Sequence, residues 1–181
     1  MPASGRHKGW YYQPAEGANR MALMFNGTEV LDFDANDIDI QQALTTLGIT
    51  ATGAISATGA ISSSSASAGI GYATGAGATV TQTVSRATGV TINAISGAIT
   101  TDTSSLAAAG EATFTVTNSS VAIGDVIVLS ARSGQTAATS VPIVSAVAAG
   151  SFDITLTNLH ASTADTGAMI INFAVIKAVS A

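Results

Sequence analysis

The chain has 181 residues, of which 47% are hydrophobic and 9% charged; six Lys or Arg stand against eleven Asp or Glu for a formal net charge of −5, and there is no cysteine. That length allows one sizeable core, or a compact domain behind an extended arm, and makes two full domains crowded. The acidic balance argues against nucleic acid, whose phosphates need a basic face, and the missing cysteine removes disulfides, thiolate nucleophiles and Cys-type zinc sites.

Mean hydropathy is +0.44, yet no stretch supplies the roughly 20 apolar residues of a membrane-spanning helix. The best candidate, Ala168 to Ile176, is short and carries Asn172. Arg6, His7 and Lys8 lead into Trp10, Tyr11 and Tyr12 instead of an apolar run, so no secretory signal is expected and synthesis in a cytoplasm is.

Residues 1–20 combine Arg6, Lys8 and Arg20 with the aromatic cluster, and Pro2, Pro14 and several glycines disfavour regular structure there. The segment reads as an extended arm. Met21 to Phe25 and Thr28 to Phe33 flank Asn26-Gly27, whose two residues suit the positive φ angles of a type I′ turn, so a β-hairpin is expected. Glu29, Asp32, Asp34, Asp37 and Asp39 then gather five of the eleven acids, opposite in sign to the arm. From Asp37 the spacing Ile40, Leu44, Leu47 predicts a short helix, with Asn36 or Asp37 as N-cap and Gly48 at C′. The same stripe suits a brief coiled-coil seam.

Isoleucine recurs at Ile49, Ile55 and Ile61, and glycine at Gly53 and Gly59, in a six-residue repeat. One Ile in six buries too little apolar surface to offset the ordering entropy of a lone strand. Intertwined copies would supply the neighbours; a flexible Ser/Thr/Gly linker is the equal alternative. From about Gly71, β-type runs alternate with turn residues at Thr79–Ser85, Val90–Ile95, Ala112–Thr117, Val126–Ala131, Ser140–Val147, Phe152–Thr157 and Ala168–Val179. Phe114 and Val116, and Phe152, Ile154 and Leu156, alternate with polar neighbours, which predicts a jelly-roll-like β-sandwich. The fold class is therefore mainly β: attachment arm with hairpin and short helix over 1–48, repeat or linker over 49–70, sandwich over 71–181.

Three strings, Gly71-Tyr-Ala-Thr-Gly75, Thr81-Gln-Thr-Val-Ser-Arg-Ala-Thr-Gly-Val-Thr-Ile-Asn93 and Ile171-Asn-Phe-Ala-Val-Ile-Lys-Ala-Val179, give roughly residues 69–181 a likeness to known proteins. This stretch resembles a carboxy-terminal β-domain that recurs in phage and prophage structural proteins of heads, collars and tails. The resemblance implies a commonly trimeric virion module with no catalytic residues to carry over. It leaves the amino-terminal part uncovered, and with it the choice between capsid decoration and tail fibre.

Chemistry is sparse. His7 and His160 lie in no His-Glu-x-x-His motif, no Gly-x-Ser-x-Gly frames a serine, and the glycines at 69, 71, 75 and 77 precede no Lys-Ser/Thr pair. Asp32, Asp34 and Asn36 copy the opening of a calcium loop, but Asp37 stands where that loop needs glycine and Ala43 where it needs the bidentate glutamate. The acids fit a solvated or partner-facing surface better than paired glycosidase carboxylates. Asn26-Gly-Thr28 and Asn118-Ser-Ser120 match the glycosylation triplet and read as turns.

The resulting expectation is a non-enzymatic virion subunit without cofactor or metal, a homotrimeric capsid decoration, cement or head-fibre protein on the particle exterior. Its partners would be the major capsid protein or another virion protein, and further copies of itself, with neither membrane nor nucleic acid. Trp10, Tyr11 and Tyr12 are the expected anchors, with Arg6, Lys8, Arg20, Asp32 and Asp34 setting register; the bland alternative has the aromatics filling the protein's own core. Ile40, Leu44, Leu47, Ile49, Ile55 and Ile61 are the expected oligomerisation residues. A tail-fibre head that binds a receptor or host-surface glycan is the rival reading, poorly served by Phe114, Phe152 and Phe173, whose patterns suit a core.

Overall fold

The structure, a computed structural model, describes residues 50–178 apart from 68, 74 and 137–139, together with the backbone of four strands nearer the amino terminus. The chain divides into two units, Met1–Ile61 and Ser62–Ala181.

In the first unit, β1 (Trp10–Pro14), β2 (Met21–Phe25), β3 (Thr28–Phe33) and β4 (Ile38–Ile40) form one antiparallel meander in the order β1-β2-β3-β4. The expected hairpin is β2–β3, with Phe25 opposite Thr28 across the Asn26-Gly27 dipeptide and a register shift between Leu23 and Met24. Two expectations change. Within the segment read as an irregular arm, Trp10 to Pro14 pair with β2, Trp10 opposite Phe25 and Pro14 opposite Met21. The Trp-Tyr-Tyr run has strong strand preference, and a proline at the end of a sheet's outermost strand interrupts little. Nor does a helix begin at Asp37: Ile38–Ile40 extend as β4, with Asp39 opposite Asp32 and Ile40 opposite Leu31. Ile38-Asp39-Ile40 alternates with period two, and the neighbouring strand captured that signal ahead of the longer 3.6-residue one. Leu44, Leu47 and the remainder of that stripe lie outside the described residues.

The second unit is a sandwich of two four-stranded sheets. One has the order β10-β11-β8-β6, from β6 (Val90–Thr91), β8 (Glu111–Thr117), β10 (Ser140–Ala148) and β11 (Ser151–Asn158). The other has the order β5-β7-β12-β9, from β5 (Gly77–Thr81), β7 (Ser96–Thr100), β9 (Val126–Ser133) and β12 (Ile170–Ile176). Two pairings, β5 with β7 and β6 with β8, are parallel, and the rest are antiparallel. Period-two patterning explains which faces meet. Phe114 and Val116 on β8, Phe152, Ile154 and Leu156 on β11, and Ile171, Phe173 and Val175 on β12 are all buried in one core. Phe152 and Phe173 meet across the sheets as tilted rings with centroids 5.6 Å apart, a favoured aromatic geometry. Each such side chain contributes about 1.5–3 kcal/mol by leaving water.

The seven runs expected from the sequence all contain strands, but β7 was not among them. Its sequence, Ser-Gly-Ala-Ile-Thr, is nearly all small residues. The structure supplies the reason for Gly97: a Cβ there would lie 2.4 Å from the Ala78 carbonyl oxygen and 3.0 Å from the Phe173 ring. The strand is thin because β5 and the core ring close on it from both sides. The run expected over Val90–Ile95 is strand only at Val90–Thr91, with the Ile92 amide still donating to Thr117 O; β5 ends at Thr81, and the residues that follow leave the sheet with Arg86 buried among them.

Candidate partner surfaces and the buried polar clamp

Arg86 is the lone charged residue between Asp39 and Asp102, and it is buried, 3% exposed. Its Nε donates to Ser104 O, Nη1 to Thr101 Oγ1 at 3.5 Å, and Nη2 to Asp165 O at 3.2 Å and Gly167 O at 2.7 Å. The guanidinium also lies 3.6 Å from the carboxylate of Asp165, which is wholly buried. Asp165 Oδ1 in turn accepts the amides of Thr136 and Gly167, both at 3.0 Å. Gln82 completes the cluster, donating to Arg86 O and Thr88 O and accepting the Asp102 amide.

Burial alone would raise the Asp165 pKa; the Ser140 hydroxyl, the two amides and Arg86 outweigh it and leave the pKa lowered. Neither Ser140 Oγ nor Asp165 Oδ2 has a hydrogen-bond partner of regular geometry. The arrangement ties residues 82–89, 101–106 and 165–167 together. With its fork spent on three carbonyls and its charge on Asp165, Arg86 is a clamp rather than a reactive group. Sequence reasoning missed it; a single positive charge in a long neutral stretch was the available signal.

A second carboxylate, Asp125, sits at the start of β9. It is ion-paired with Lys177 and accepts the amides of Ala122 and Ala178. The Lys177 hydrogen bond, followed by those amides, lowers its pKa. Asp102 is lowered too, first by the Ser104 hydroxyl and then by the Ser104 amide.

The outer face of the β5-β7-β12-β9 sheet is apolar toward its β9 side. Val126 pairs with Ile176 and Val128 with Ala174, and Val126, Val128 and Ile176 are exposed. Ile70, Gly71 and Tyr72 border the same region, leaving a half-open cleft of about 510 Å³ lined also by Val128, Ala174 and Ile176. Tyr72 is 47% exposed, and its hydroxyl donates to Val175 O, fixing the ring at the cleft. The opposite sheet shows Val141 and Ile143 to solvent beside a hydroxyl ladder, Thr113 to Thr155 at 2.8 Å and Thr155 to Ser145 at 3.0 Å.

The residues expected to bind partners are distributed as follows. Trp10, Tyr11 and Tyr12 lie on β1 and Asp32 on β3, where it pairs with Ala22 and Asp39; Arg6, Lys8, Arg20 and Asp34 lie outside the described residues. Ile40 ends β4, Leu44, Leu47 and Ile49 are outside the described residues, and Ile55 and Ile61 are 67% and 60% exposed. His160 is an exposed loop residue whose Nδ1 accepts the amides of Ser162 and Thr163. Asn118 of the second glycosylation triplet is a buried turn residue bonded to Ala94 O and the Ser120 amide. Among the described residues no three His, Asp or Glu side chains gather as a metal site, and no helix is long and apolar enough to cross a membrane.

Together these features define a two-sheet β-sandwich locked by a buried Arg–Asp clamp, with an apolar outer cleft and an exposed isoleucine repeat ahead of it in the chain. No family model, curated protein or solved structure matches the chain.

Proposed function

We propose that the protein is a structural subunit of a virus particle, a homotrimeric decoration or head-fibre protein without enzymatic activity that docks through its amino-terminal region and carries the sandwich outward. The observation that carries this reading is the exposed repeat: Ile55 and Ile61 stand in water on a segment that belongs to no strand among the described residues. Apolar side chains set at a fixed period and left uncovered mark a surface that other chains complete. The resemblance of residues 69–181 to phage structural modules supports the virion setting, and the weakly charged composition supports a chain much of whose surface is covered by partners.

The rival, a receptor- or glycan-binding head of a tail fibre, draws on Tyr72, an exposed ring beside the apolar cleft. Phe114, Phe152 and Phe173 give it no support, since all three are buried. The test is electron microscopy of particles from the source culture labelled with an antibody against residues 62–181. Label over the heads is the expected result. Label at tail tips would favour the rival, and particles without label would overturn the virion assignment.

A further inference from the structure

The repeat has a property that its isoleucines alone do not reveal. From Ile49 to Ile61 the odd positions read Ile, Ala, Gly, Ile, Ala, Gly, Ile, and the even positions Thr, Thr, Ala, Ser, Thr, Ala. Apart from Ala54 and Ala60 this is period-two alternation, one face apolar and the other mostly hydroxyl, which is the pattern of a half-buried β-strand. Six is a multiple of two, so every isoleucine falls on the same face. The backbone repeats as well: bends occur at Thr52–Gly53 and again at Thr58–Gly59, one per unit at the same place. Yet residues 50–61 are exposed throughout and belong to no strand. A strand pattern is present, and among the described residues no strand pairs with it.

We infer that the partner is the same segment of two other copies, the three running parallel and in register so that Ile55 of each chain meets in one layer and Ile61 in the next. Charge permits this register: from Ile40 to Ser85 there is no charged side chain, so stacking identical positions brings no like charges together. Closed threefold symmetry makes the copies parallel. Between layers, Ala51, Gly53, Ala57 and Gly59 leave room for three backbones to approach. Heteromeric partners are the weaker choice, because an uncharged face offers nothing to select them by sign. This inference rests on the trimeric reading above and assigns that trimer its seam.

Phase separates a seam from a linker. Deleting Ile55 to Ala60 removes one whole unit and keeps the pattern, whereas deleting Ser56 alone moves everything beyond it to the opposite face. Sedimentation of the full chain across a concentration series is the measurement, with the sandwich's thermal midpoint as control for folding. Wild type and the six-residue deletion should sediment as trimers, and the one-residue deletion should dissociate at least about tenfold more readily. A monomeric wild type would sink both this inference and the trimeric reading. A trimer indifferent to the loss of Ser56, or one weakened more by removing the whole unit than by removing Ser56, would overturn the seam alone.

Discussion

Arg86→Met is the perturbation that best tests the energetics of the sandwich. Methionine fills much of the arginine volume, so the change isolates the polar losses: four hydrogen bonds, to Ser104 O, Thr101 Oγ1, Asp165 O and Gly167 O, and the ion pair 3.6 Å from Asp165. Breaking a buried pair by removing one member costs about 3–5 kcal/mol, because the other charge stays buried. In a unit of this size that lowers the thermal midpoint by roughly 10–20 °C. Arg86→Lys should fare little better, since one ammonium cannot reach three carbonyls held in a fork geometry. Asp165→Asn keeps an oxygen for the Thr136 and Gly167 amides and should cost less, about 1–3 kcal/mol. In the double mutant neither charge is left buried without its partner, so the two single effects should sum to at least about 1 kcal/mol more than the double effect. Urea unfolding followed by circular dichroism supplies all four numbers. If Arg86→Met costs under about 1 kcal/mol, or the effects add, the clamp has been misread.

Three further outcomes are expected. Gly97→Ala should destabilise by about 1–3 kcal/mol in the same assay, because the clash with Ala78 O outweighs the entropic gain of about 0.4–1 kcal/mol that alanine brings where it fits; a neutral result would mean that β5 yields freely. Asp102, Asp125 and Asp165 all have pKa values below 3.8 in the folded chain, so each adds stability above its ordinary value and loses it as pH falls through the lowered one; thermal midpoints should therefore drop below about pH 4, and a flat profile from pH 5 to 2 would contradict this. Tyr72→Phe should cost about 0.5–1.5 kcal/mol through the lost bond to Val175 O, while Tyr72→Ala should also weaken binding of an apolar fluorescent probe at the cleft; equal probe binding by Tyr72→Ala and wild type would remove the cleft as a site.

What the sequence made legible follows from how strongly each segment advertises a period. Phe152, Ile154 and Leu156, and Phe114 with Val116, alternate with polar residues, and their burial on the inner faces follows directly. β7 was invisible because Gly97 and its small neighbours are selected by the close approach of Ala78 and Phe173, a tertiary demand with no local trace. Arg86 left only the trace of a single positive charge in a neutral stretch: composition puts charge outside, and the carbonyls of Ser104, Asp165 and Gly167 with the Asp165 carboxylate, scattered along the chain, make its burial tolerable. At Ile38–Ile40 two periods competed and a neighbouring strand settled the contest. The cleft could not be read at all, since it joins Tyr72 to β9 and β12 across about a hundred residues.

The order in which the strands enter the sandwich has a kinetic consequence. Successive strands from β5 to β10 fall alternately in the two sheets, β11 follows β10 in the same sheet, and β12 returns to the other. Apart from the β10–β11 hairpin, every sheet neighbour is supplied by a strand at least one sheet crossing away, so almost no pairing can form from local sequence. Chains built this way reach the native state slowly, on timescales of roughly milliseconds to seconds. The interleaving that delays assembly also obstructs escape: neither sheet can peel away without drawing strands out of the other. The second unit should therefore unfold as one block, and slowly, a form of persistence measured as a lifetime rather than as a free energy.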